Sequence, residues 1–256
     1  MDIYKIREDF PSLLSKNDEG TPIVYFDNAA TSLKPKCVME TMQDVYINAF
    51  GNANRGSHIM GVRASNVMDT TRENVKNFIG ADNKRNIIFT KGATEALNII
   101  VFSYASNYLK EGDEILIGID SHHANLVPWK MLCEQRGVKL TFFYVDSKGE
   151  IIYDDFLEKI KRKPKIVSFT PITNTFGVIH DYKKIIELSK EVGAKVVVDA
   201  SQSMTHIKFD VNKDDIDFLV FAGHKILPPQ GIGVLYASDK VINDMDPFLY
   251  GGDMID

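Results

Sequence analysis

The sequence predicts an α/β fold with three αβα layers around a mostly parallel sheet. From residue 86 to residue 199, short apolar segments alternate with helical patterns, which is typical of a parallel sheet covered by helices on both faces. Polar residues also follow directly after several of the apolar segments. Open α/β sheets hold their ligands at such strand ends.

The composition is that of a globular protein. Of the 256 residues, 44% are hydrophobic and 25% are charged, which is close to globular averages. The net charge is −5, with acidic and basic residues interspersed, so the chain lacks the basic stripe or patch expected for nucleic-acid or membrane binding. We therefore expect a small-molecule or protein partner, no nucleic acid and no membrane.

The start of the chain and the cysteines indicate a cytoplasmic protein. MDIYKIREDFPSLL is too charged for a secretory signal, and the chain contains no uninterrupted apolar run of membrane-spanning length. The two cysteines, Cys37 and Cys133, form no disulfide framework and no metal-finger spacing. Both are expected to be buried thiols on helices, and no metal site is expected.

The first 80 residues are predicted to form helices and loops. The predicted elements are a short helix over 3–14 ended near Pro11, an extended piece over 21–30, a helix from Pro35 to Asn48, a loop over 50–61 and a helix over 62–78 stopped by Gly80. The extended piece ends in the turn YFDNAAT, whose two alanines leave room for a ligand or a neighbouring backbone. A tight turn closed by an Asx hydrogen bond is an equally good reading.

The alternating region supplies the predicted sheet. Strands are expected over 86–90, 114–119, 139–145, 165–170 and 195–199, and helices after Gly92, around WKMLCEQRG, over 154–161 and over 181–192. Residues 218–236, FLVFAGHKILPPQGIGVLY, then place two apolar segments on either side of a polar turn. The Gly-x-Gly of GIGVLY allows close backbone packing.

A glycine turn between a strand and a helix predicts an anion site. Gly92, Ala93 and Thr94 open the helix after the strand NIIFT. Free N–H groups and the positive end of the helix dipole meet there, and Thr94 adds a hydroxyl donor. Glycine turns before helices are common, so this motif is weak by itself. It matches neither GxxxxGK[ST] nor GxGxxG.

Further polar side chains follow the next strands. His122 and His123 come after EILIGI, and Asn174 comes after KIVSFT. An imidazole at this edge can stack on a planar cofactor or move a proton near neutral pH, or it can simply bond to the backbone at a helix N-terminus. Asn174 can donate its amide to a ring substituent.

The strongest pair is Asp199 with Lys225. A lysine between two buried strands tends to lose its proton, which makes it a candidate Schiff-base nucleophile. Asp199, at the end of KVVVD, can hold a proton on a heteroaromatic nitrogen. A carboxylate and an amine in these roles are what pyridoxal phosphate requires of a protein.

The order of the motifs resembles the class V branch of fold-type I pyridoxal-phosphate enzymes, the cysteine desulfurase and selenocysteine lyase family. The motifs are FDNAAT, NRGSH, GATEALN, SHHANLVPW, TNTFG, VDASQ, FAGHK, GIGVLY and the closing GGDMI. Two of them, HHANLVPW and NRGSH, look most like the sulfur-mobilising SufS-like group. The resemblance implies an N-terminal segment plus a pyridoxal-phosphate-binding large domain over residues 1–256, without the small C-terminal domain of the family.

The resemblance also implies a role for each site residue. Lys225 would carry the cofactor, pyridoxal 5′-phosphate, and act as a base, while His122 would stack on the ring as the second catalytic residue. Asp199 would pair with the pyridine nitrogen, and Asn174 and Gln202 would contact the side of the ring oxygen. Thr94, in the turn with Gly92 and Ala93, and His224 would hold the phosphate.

The implied function is cysteine desulfuration for iron–sulfur cluster assembly. L-Cysteine would become L-alanine with the sulfur kept on the enzyme, in a homodimer that passes sulfur to an acceptor protein. Selenocysteine remains an alternative substrate. The family takes its persulfide-forming cysteine and a carboxylate-binding arginine from the small domain, and Cys37 and Cys133 match neither role.

The chain also departs from the family pattern at three places. Ala222 stands where a serine usually precedes Gly-His-Lys, Asn54 where a histidine precedes Arg-Gly, and Pro228-Pro229 where Gly-Pro is usual. A non-catalytic cofactor- or partner-binding remnant of the same family is therefore a second hypothesis. A nucleotide-binding α/β domain is a third, disfavoured by the missing phosphate motifs.

Overall fold

A seven-stranded sheet forms the centre of the computed structural model, which describes residues 2–54, 56–252 and 254. Arg55, in the motif NRGSH, and Asp253, Ile255 and Asp256, at the closing GGDMID, lie outside the described residues. The strands are β1 (Ile87–Thr90), β2 (Glu114–Gly118), β3 (Lys139–Phe143), β4 (Ile166–Phe169), β5 (Lys195–Asp199), β6 (Phe218–Ala222) and β7 (Gly233–Ala237). Their order across the sheet is β1-β7-β6-β5-β4-β2-β3.

Six of the seven strands point in the same direction. Strands β6, β5, β4, β2 and β3 pair in parallel. Strand β7 runs antiparallel to both β6 and β1, so β1 again points the same way as β6. The prediction of a mostly parallel sheet is confirmed, and the carboxyl ends of β1, β2, β4, β5 and β6 meet at one edge.

Helices cover both faces of this sheet. They are α1 (Ile3–Glu8), α2 (Lys36–Asn48), α3 (Ile59–Ile79), α4 (Ala93–Ile99), α5 (Ser106–Tyr108), α6 (Val127–Arg136), α7 (Tyr153–Ile160) and α8 (Tyr182–Glu191). Apolar side chains of α7 and α8 pack on one face, and those of α4 and α6 pack on the other. The three-layer αβα arrangement predicted from the alternation is therefore confirmed.

Strand β5 shows how the sequence produces this arrangement. Val196 and Val198 belong to the core on one face, and Val197 belongs to the core on the opposite face. All three are fully buried. Successive strand side chains point to opposite faces, so a strand covered on both sides needs a continuous apolar run.

Helix boundaries differ from the predictions at two places. The helix predicted over 62–78 begins three residues earlier, at Ile59, because the Nδ1 atom of His58 accepts the N–H of Gly61 at 3.3 Å and caps it. The segment predicted as a helix over 3–14 is α1 followed by a separate 3₁₀ turn, Pro11–Leu13. Proline lacks the N–H group that a continued helix would need.

The prediction for the two cysteines is half wrong. Cys133 is buried on α6, as expected, but Cys37 is exposed. Cys37 is the second residue of α2, and this helix buries none of its residues. The burial of a thiol depends on what packs against its helix, and the local sequence does not carry that information.

Within the described residues, every helix is too short or too polar to cross a membrane.

Candidate active site

A cavity of about 910 Å³ opens at the sheet edge where the strands end. All nine residues that the sequence analysis singled out for the site line this cavity. They are Gly92, Ala93, Thr94, His122, Asn174, Asp199, Gln202, His224 and Lys225. They come from segments that follow five different strands, so the parallel sheet brings together residues that are up to 133 positions apart (225 − 92).

Lys225 lies in a 3₁₀ turn, Gly223–Lys225, that directly follows β6. Burial lowers the pKa of its amine, and the carboxylate of Asp199 partly opposes this shift. Desolvation disfavours the charged ammonium and therefore favours the neutral amine. A neutral amine is the form of lysine that acts as a nucleophile or a base.

Asp199 is the last residue of β5, and its side chain is only 3% exposed. Its Oδ1 atom accepts two hydrogen bonds from Ser201, one from the hydroxyl at 2.6 Å and one from the N–H at 3.1 Å. The Oδ2 atom therefore remains available to a group in the cavity. Asp199 and Lys225 both line the cavity, and within the described residues they form no direct ion pair.

Ser201 is a site residue that the sequence analysis missed. It is buried, and its hydroxyl and N–H together hold the Asp199 carboxylate in one orientation. A signal was present, because serine two residues after aspartate commonly forms such a local side-chain bond. The sequence does not tell whether that bond forms or whether the serine caps the next turn.

The glycine turn after β1 has the features of an anion site. The first intrahelical bond of α4 joins the N–H of Ala96 to the oxygen of Gly92, so the N–H groups of the residues between them have no intrahelical acceptor. A methyl group added to Gly92 would meet no atom within 4 Å. The cavity therefore reaches the backbone at this turn.

The other side of the Gly92 backbone is tightly packed. A Cβ atom on Gly233 would lie 2.6 Å from the Cα atom of Gly92. This contact explains the second glycine of GIGVLY, since any side chain on β7 here would push the turn away from the sheet. The turn is thus supported from below by β7 and open to the cavity above.

His122 both bonds to the backbone at the start of a helical turn and lines the cavity. Its Nδ1 atom accepts the N–H of Ala124 at 3.1 Å and caps a short 3₁₀ turn. This bond assigns the proton of the neutral ring to Nε2. The ring also lines the cavity, and the backbone bond restricts how it can turn.

His224 has an unusual environment beside Lys225. Burial lowers the pKa of its ring, and the positive charges of Lys225 and Lys34 lower it further. Its Nδ1 atom is buried and has no hydrogen-bond partner among the described residues. The ring is therefore held neutral.

The turn FDNAAT completes the wall of the cavity from the N-terminal segment. Asp27, Ala29 and Ala30 line the cavity, and the side-chain amide of Gln202 donates to the oxygen of Ala29 at 2.7 Å. The Oε1 atom of Gln202 remains for another partner. The tight turn is closed by backbone bonds from Ala30 and Thr31 to the oxygen of Asp27, at 3.1 and 3.2 Å.

Several other lining residues were not predicted. They are Lys91, Glu95, Asn98, Ala124, Thr170 and Phe248. The Thr170 hydroxyl lies within 3.0 Å of the backbone oxygen of Asp199, and it contributes to the same strand edge as Asn174. Ala222, the residue that stands in place of the usual serine, also lines the cavity, so this departure removes a hydroxyl from the site itself.

No group of three or more histidine, cysteine, aspartate or glutamate side chains in the described part of the chain is arranged to hold a metal ion. The donors in the cavity are instead an amine, a carboxylate, imidazoles, amides and free backbone N–H groups. Such a set suits a planar organic group with an anionic substituent.

Comparison with known proteins identifies the family. The family profile described as "Aminotransferase class-V" matches residues 24–256. The chain belongs to this family. Class V aminotransferases and cysteine desulfurases depend on pyridoxal phosphate, which agrees with the cofactor predicted from Asp199 and Lys225.

Curated relatives of this class V chain are cysteine desulfurases. The "Cysteine desulfurase" of Synechococcus elongatus is 40% identical over 99% of this chain, which corresponds to 40% of the relative. A "Probable cysteine desulfurase" of Vibrio cholerae is 41% identical over 100% of this chain and 63% of its own length. The class V chain thus spans about 40–63% of the length of these curated relatives.

Solved structures give the same result for the fold. The apo cysteine desulfurase of Thermococcus onnurineus superposes with a TM-score of 0.89 at 37% identity, over 97% of this chain and 60% of the other. The cysteine desulfurase CsdA of Escherichia coli, in an S-sulfonic acid form, superposes with a TM-score of 0.87 at 35% identity, over 99% of this chain and 62% of the other.

Proposed function

We propose that the chain is the cofactor-binding part of a cysteine desulfurase, which converts L-cysteine to L-alanine and retains the sulfur for iron–sulfur cluster assembly. One observation carries this proposal. A partly buried lysine with a lowered pKa and a buried carboxylate line the same cavity as an open helix N-terminus. Pyridoxal phosphate, when bound there, supplies an electron sink for charge that develops at the α-carbon of the substrate.

Lys225 has two proposed tasks. Its neutral amine would hold the cofactor through the aldehyde carbon, and the same amine would be the base for the α-proton of a bound substrate. Both tasks require the unprotonated form, which burial favours. The nearby Asp199 carboxylate limits that shift, so the amine can still accept a proton.

Asp199 has the proposed task of keeping a positive charge on the ring nitrogen. Ser201 occupies Oδ1, so Oδ2 is left as the proposed acceptor for the ring N–H. A buried carboxylate gives a strong charge-assisted bond because little water competes with it. Protonation of the ring nitrogen makes the ring a stronger electron sink.

The phosphate is proposed to bind at the start of α4. The backbone N–H groups after Gly92 and the hydroxyl of Thr94 serve as donors at the positive end of the helix. The neutral ring of His224 lies on the same wall. His122 is proposed to stack on the cofactor ring, with the side-chain amides of Asn174 and Gln202 near the ring oxygen.

The sulfur-accepting group is proposed to come from outside residues 1–256. Neither cysteine lines the cavity in the described residues. Burial raises the pKa of the Cys133 thiol to about 11, so little thiolate is present near neutral pH. We infer that full turnover requires the persulfide cysteine and the carboxylate-binding arginine that the family carries in its small domain, and a sulfur-acceptor protein.

Absorption spectroscopy with added pyridoxal phosphate tests the proposal. The protein should acquire the visible band of a lysine-bound cofactor, and Lys225→Ala should lose that band completely. Lys208→Ala, which changes an exposed lysine outside the cavity, should keep it. Absence of the band in the unchanged protein at saturating cofactor contradicts the proposal.

Incubation with L-cysteine, together with a separately added small domain that carries the persulfide cysteine and the carboxylate-binding arginine, then separates the enzyme from a remnant. Release of alanine together with sulfide or protein-bound sulfur supports desulfurase activity. A visible band without these products supports the second hypothesis, a cofactor-binding remnant. Selenocysteine in place of cysteine shows which substrate is preferred.

A homodimer is part of the same proposal. The resemblance implies it, and exposed apolar side chains such as Leu249 and Tyr250 support it. Sedimentation velocity should give a species of twice the 28.8 kDa chain mass. A strictly monomeric species at high protein concentration would rule the dimer out for this chain.

A further inference from the structure

The segment Thr31–Lys34, which follows the FDNAAT turn, lies against the turn that carries Lys225. Four donors from this segment converge on one acceptor, the backbone oxygen of His224. They are the Ser32 N–H at 3.0 Å, the Ser32 hydroxyl at 2.9 Å, the Thr31 hydroxyl at 3.2 Å and the Lys34 ammonium at 2.8 Å. A carbonyl oxygen has two lone pairs, so this acceptor is saturated.

A second contact holds the other side of the same turn. The buried Ser32 hydroxyl accepts the N–H of Leu227 at 3.0 Å. Leu227 has a φ of +84°, a left-handed conformation that is costly for a residue with a Cβ atom and persists only when neighbouring contacts impose it. The Ser32 bond is one such contact.

Lys34 has no carboxylate partner in the described residues. Its Nζ atom donates to the oxygens of Ser32 and His224, at 2.7 and 2.8 Å, and approaches the Ser32 hydroxyl at 3.3 Å. Desolvation lowers the pKa of this amine. The charged side chain is thus partly buried and bonded to backbone oxygens. Partial burial of a charge costs free energy, so packing alone does not explain a lysine at this position.

The two held groups lie on either side of Lys225. The oxygen of His224 belongs to the peptide plane that also contains the N and Cα atoms of Lys225. The N–H of Leu227 belongs to the plane that follows Ile226. When both planes are held, the direction in which the Lys225 side chain leaves the backbone has little freedom.

We propose that Ser32 and Lys34 are positioning residues that hold Lys225 in the orientation needed to bind the cofactor. This inference rests on the proposed function of Lys225. The contact joins residues about 190 positions apart and makes the N-terminal segment part of the site, although that segment supplies no catalytic group. A preorganised amine reacts faster because the cost of orienting it is met during folding.

We call the segment Thr31–Lys34 the strap, because it bonds across the turn that carries Lys225. Hydrogen exchange of the cofactor-free protein tests this contact without the cofactor. In Lys34→Met, the amides of the segment 224–227 should exchange faster, while those of β5 and α8 should be unchanged. Lys36→Met is a matched control, since Lys36 is exposed and its side chain makes no hydrogen bond or ion pair within the described residues, while its backbone N–H donates to the oxygen of Asp9. Unchanged exchange over 224–227 in Lys34→Met overturns the proposal.

The rate at which the visible band forms with added pyridoxal phosphate tests the positioning. Lys34→Met should slow band formation by about tenfold, the effect of losing one bond to a charged donor. Lys34→Arg, which keeps a cationic donor, should recover most of the rate, and Lys36→Met should match the unchanged protein. Ser32→Ala should also slow band formation. Because Ser32 is buried, the partly buried Lys34 provides a second variant, Lys34→Met, that keeps the test valid if Ser32→Ala fails to fold.

The outcomes separate this inference from the proposed function. If the unchanged protein forms no band, the proposed function fails, and hydrogen exchange still decides whether the strap holds the turn. If exchange over 224–227 increases in Lys34→Met while band formation keeps its rate, the strap holds the turn without positioning Lys225, and the inference is overturned.

Discussion

The N-terminal segment and the sheet region are held in place by different kinds of contact. Helix α2 has 13 residues and buries none of them, and α1 buries none either. By contrast, all five residues of β6 are buried. The sheet region is stabilised by apolar packing on both faces, whereas the N-terminal segment reaches the cavity through polar contacts such as those of Ser32 and Lys34.

A segment can therefore contribute to a site without packing into the hydrophobic core. Phe26, the first residue of the FDNAAT turn, is 94% exposed, yet Asp27 and Ala29 in the same turn line the cavity. Polar contacts are directional, so a few of them can position a turn that apolar packing does not hold. We expect the two regions to respond very differently to side-chain truncation.

The largest expected effect is in the core. Phe156→Ala removes a fully buried ring that packs against Phe143, and it should lower the free energy of unfolding by about 3–5 kcal/mol. Tyr46→Ala on α2 removes the ring of a residue that is 63% exposed. This substitution should change the free energy of unfolding by less than about 0.5 kcal/mol. Urea unfolding measures both, and similar losses would erase the contrast between the regions.

The next effect compares two buried serines, Ser201 and Ser203, which are two positions apart after β5. Ser201→Ala removes the 2.6 Å bond to the Asp199 carboxylate and should cost about 1.5–3 kcal/mol, as for other bonds to charged groups. The hydroxyl of Ser203 is buried without a partner among the described residues. Ser203→Ala should therefore be neutral or stabilising, as measured by the same unfolding assay.

A loss of stability in Ser203→Ala as large as that in Ser201→Ala would contradict this comparison. It would mean that the Ser203 hydroxyl has a partner, such as an ordered water. The visible band offers a second measurement, because only Ser201 orients the carboxylate proposed to bind the ring nitrogen.

A smaller effect concerns the pH at which Lys225 becomes reactive. The Asp199 carboxylate raises the pKa of Lys225 against the lowering caused by burial. Asp199→Asn removes that stabilisation of the ammonium, so the pKa of Lys225 should fall further. In the cofactor-free protein, modification of Lys225 by an amine-directed reagent should then begin at lower pH.

Mass spectrometry of the modified Lys225 peptide across a pH series measures this shift. An exposed lysine such as Lys208 should react with the same pH dependence in both proteins. A shift of the Lys225 profile to higher pH in Asp199→Asn would show that the two groups do not interact as proposed.

The smallest expected effect is alkaline and belongs to the sheet region. Burial raises the pKa of Tyr236 to about 12. A group whose folded pKa is raised stabilises the fold fully below its unfolded pKa of about 10, and this contribution is lost as pH rises towards 12. Tyr236→Phe should therefore flatten the decline of unfolding free energy with pH between about 10 and 12.

An unchanged slope in Tyr236→Phe would indicate that other groups cause the alkaline decline. Buried Tyr104, whose pKa is also raised by burial, is the next tyrosine to substitute. Such a result would leave the difference between the two regions intact and would only reassign the titrating group.

Much of the sheet could be predicted because its signals are local. The three successive valines of KVVVD are apolar without alternation, which already indicates a strand covered on both faces. Each strand and the polar turn after it can also be predicted from neighbouring residues. These turns contain or follow Thr94, His122, Asn174, Asp199 and Lys225. Their convergence follows from one general rule, that parallel strands end at the same edge.

Other features depend on contacts between distant segments. The sequence did not indicate that Cys37 is exposed, because nothing in the residues around it says that α2 lacks a covering partner. The role of Ser32 and Lys34 is hidden for the same reason, since their acceptor is His224, about 190 positions away.

The alternation of strands and helices can be read from the amino-acid sequence, and so can the chemical groups that follow each strand. Three contacts become visible only in the folded chain: Ser201 orients Asp199, Gly233 supports the turn at Gly92, and Ser32 bonds to the turn of Lys225. The cause is the range over which each signal acts. Periodicity and turn chemistry act over a few residues, whereas a hydrogen bond between remote segments exists only after packing has brought its donor and acceptor together.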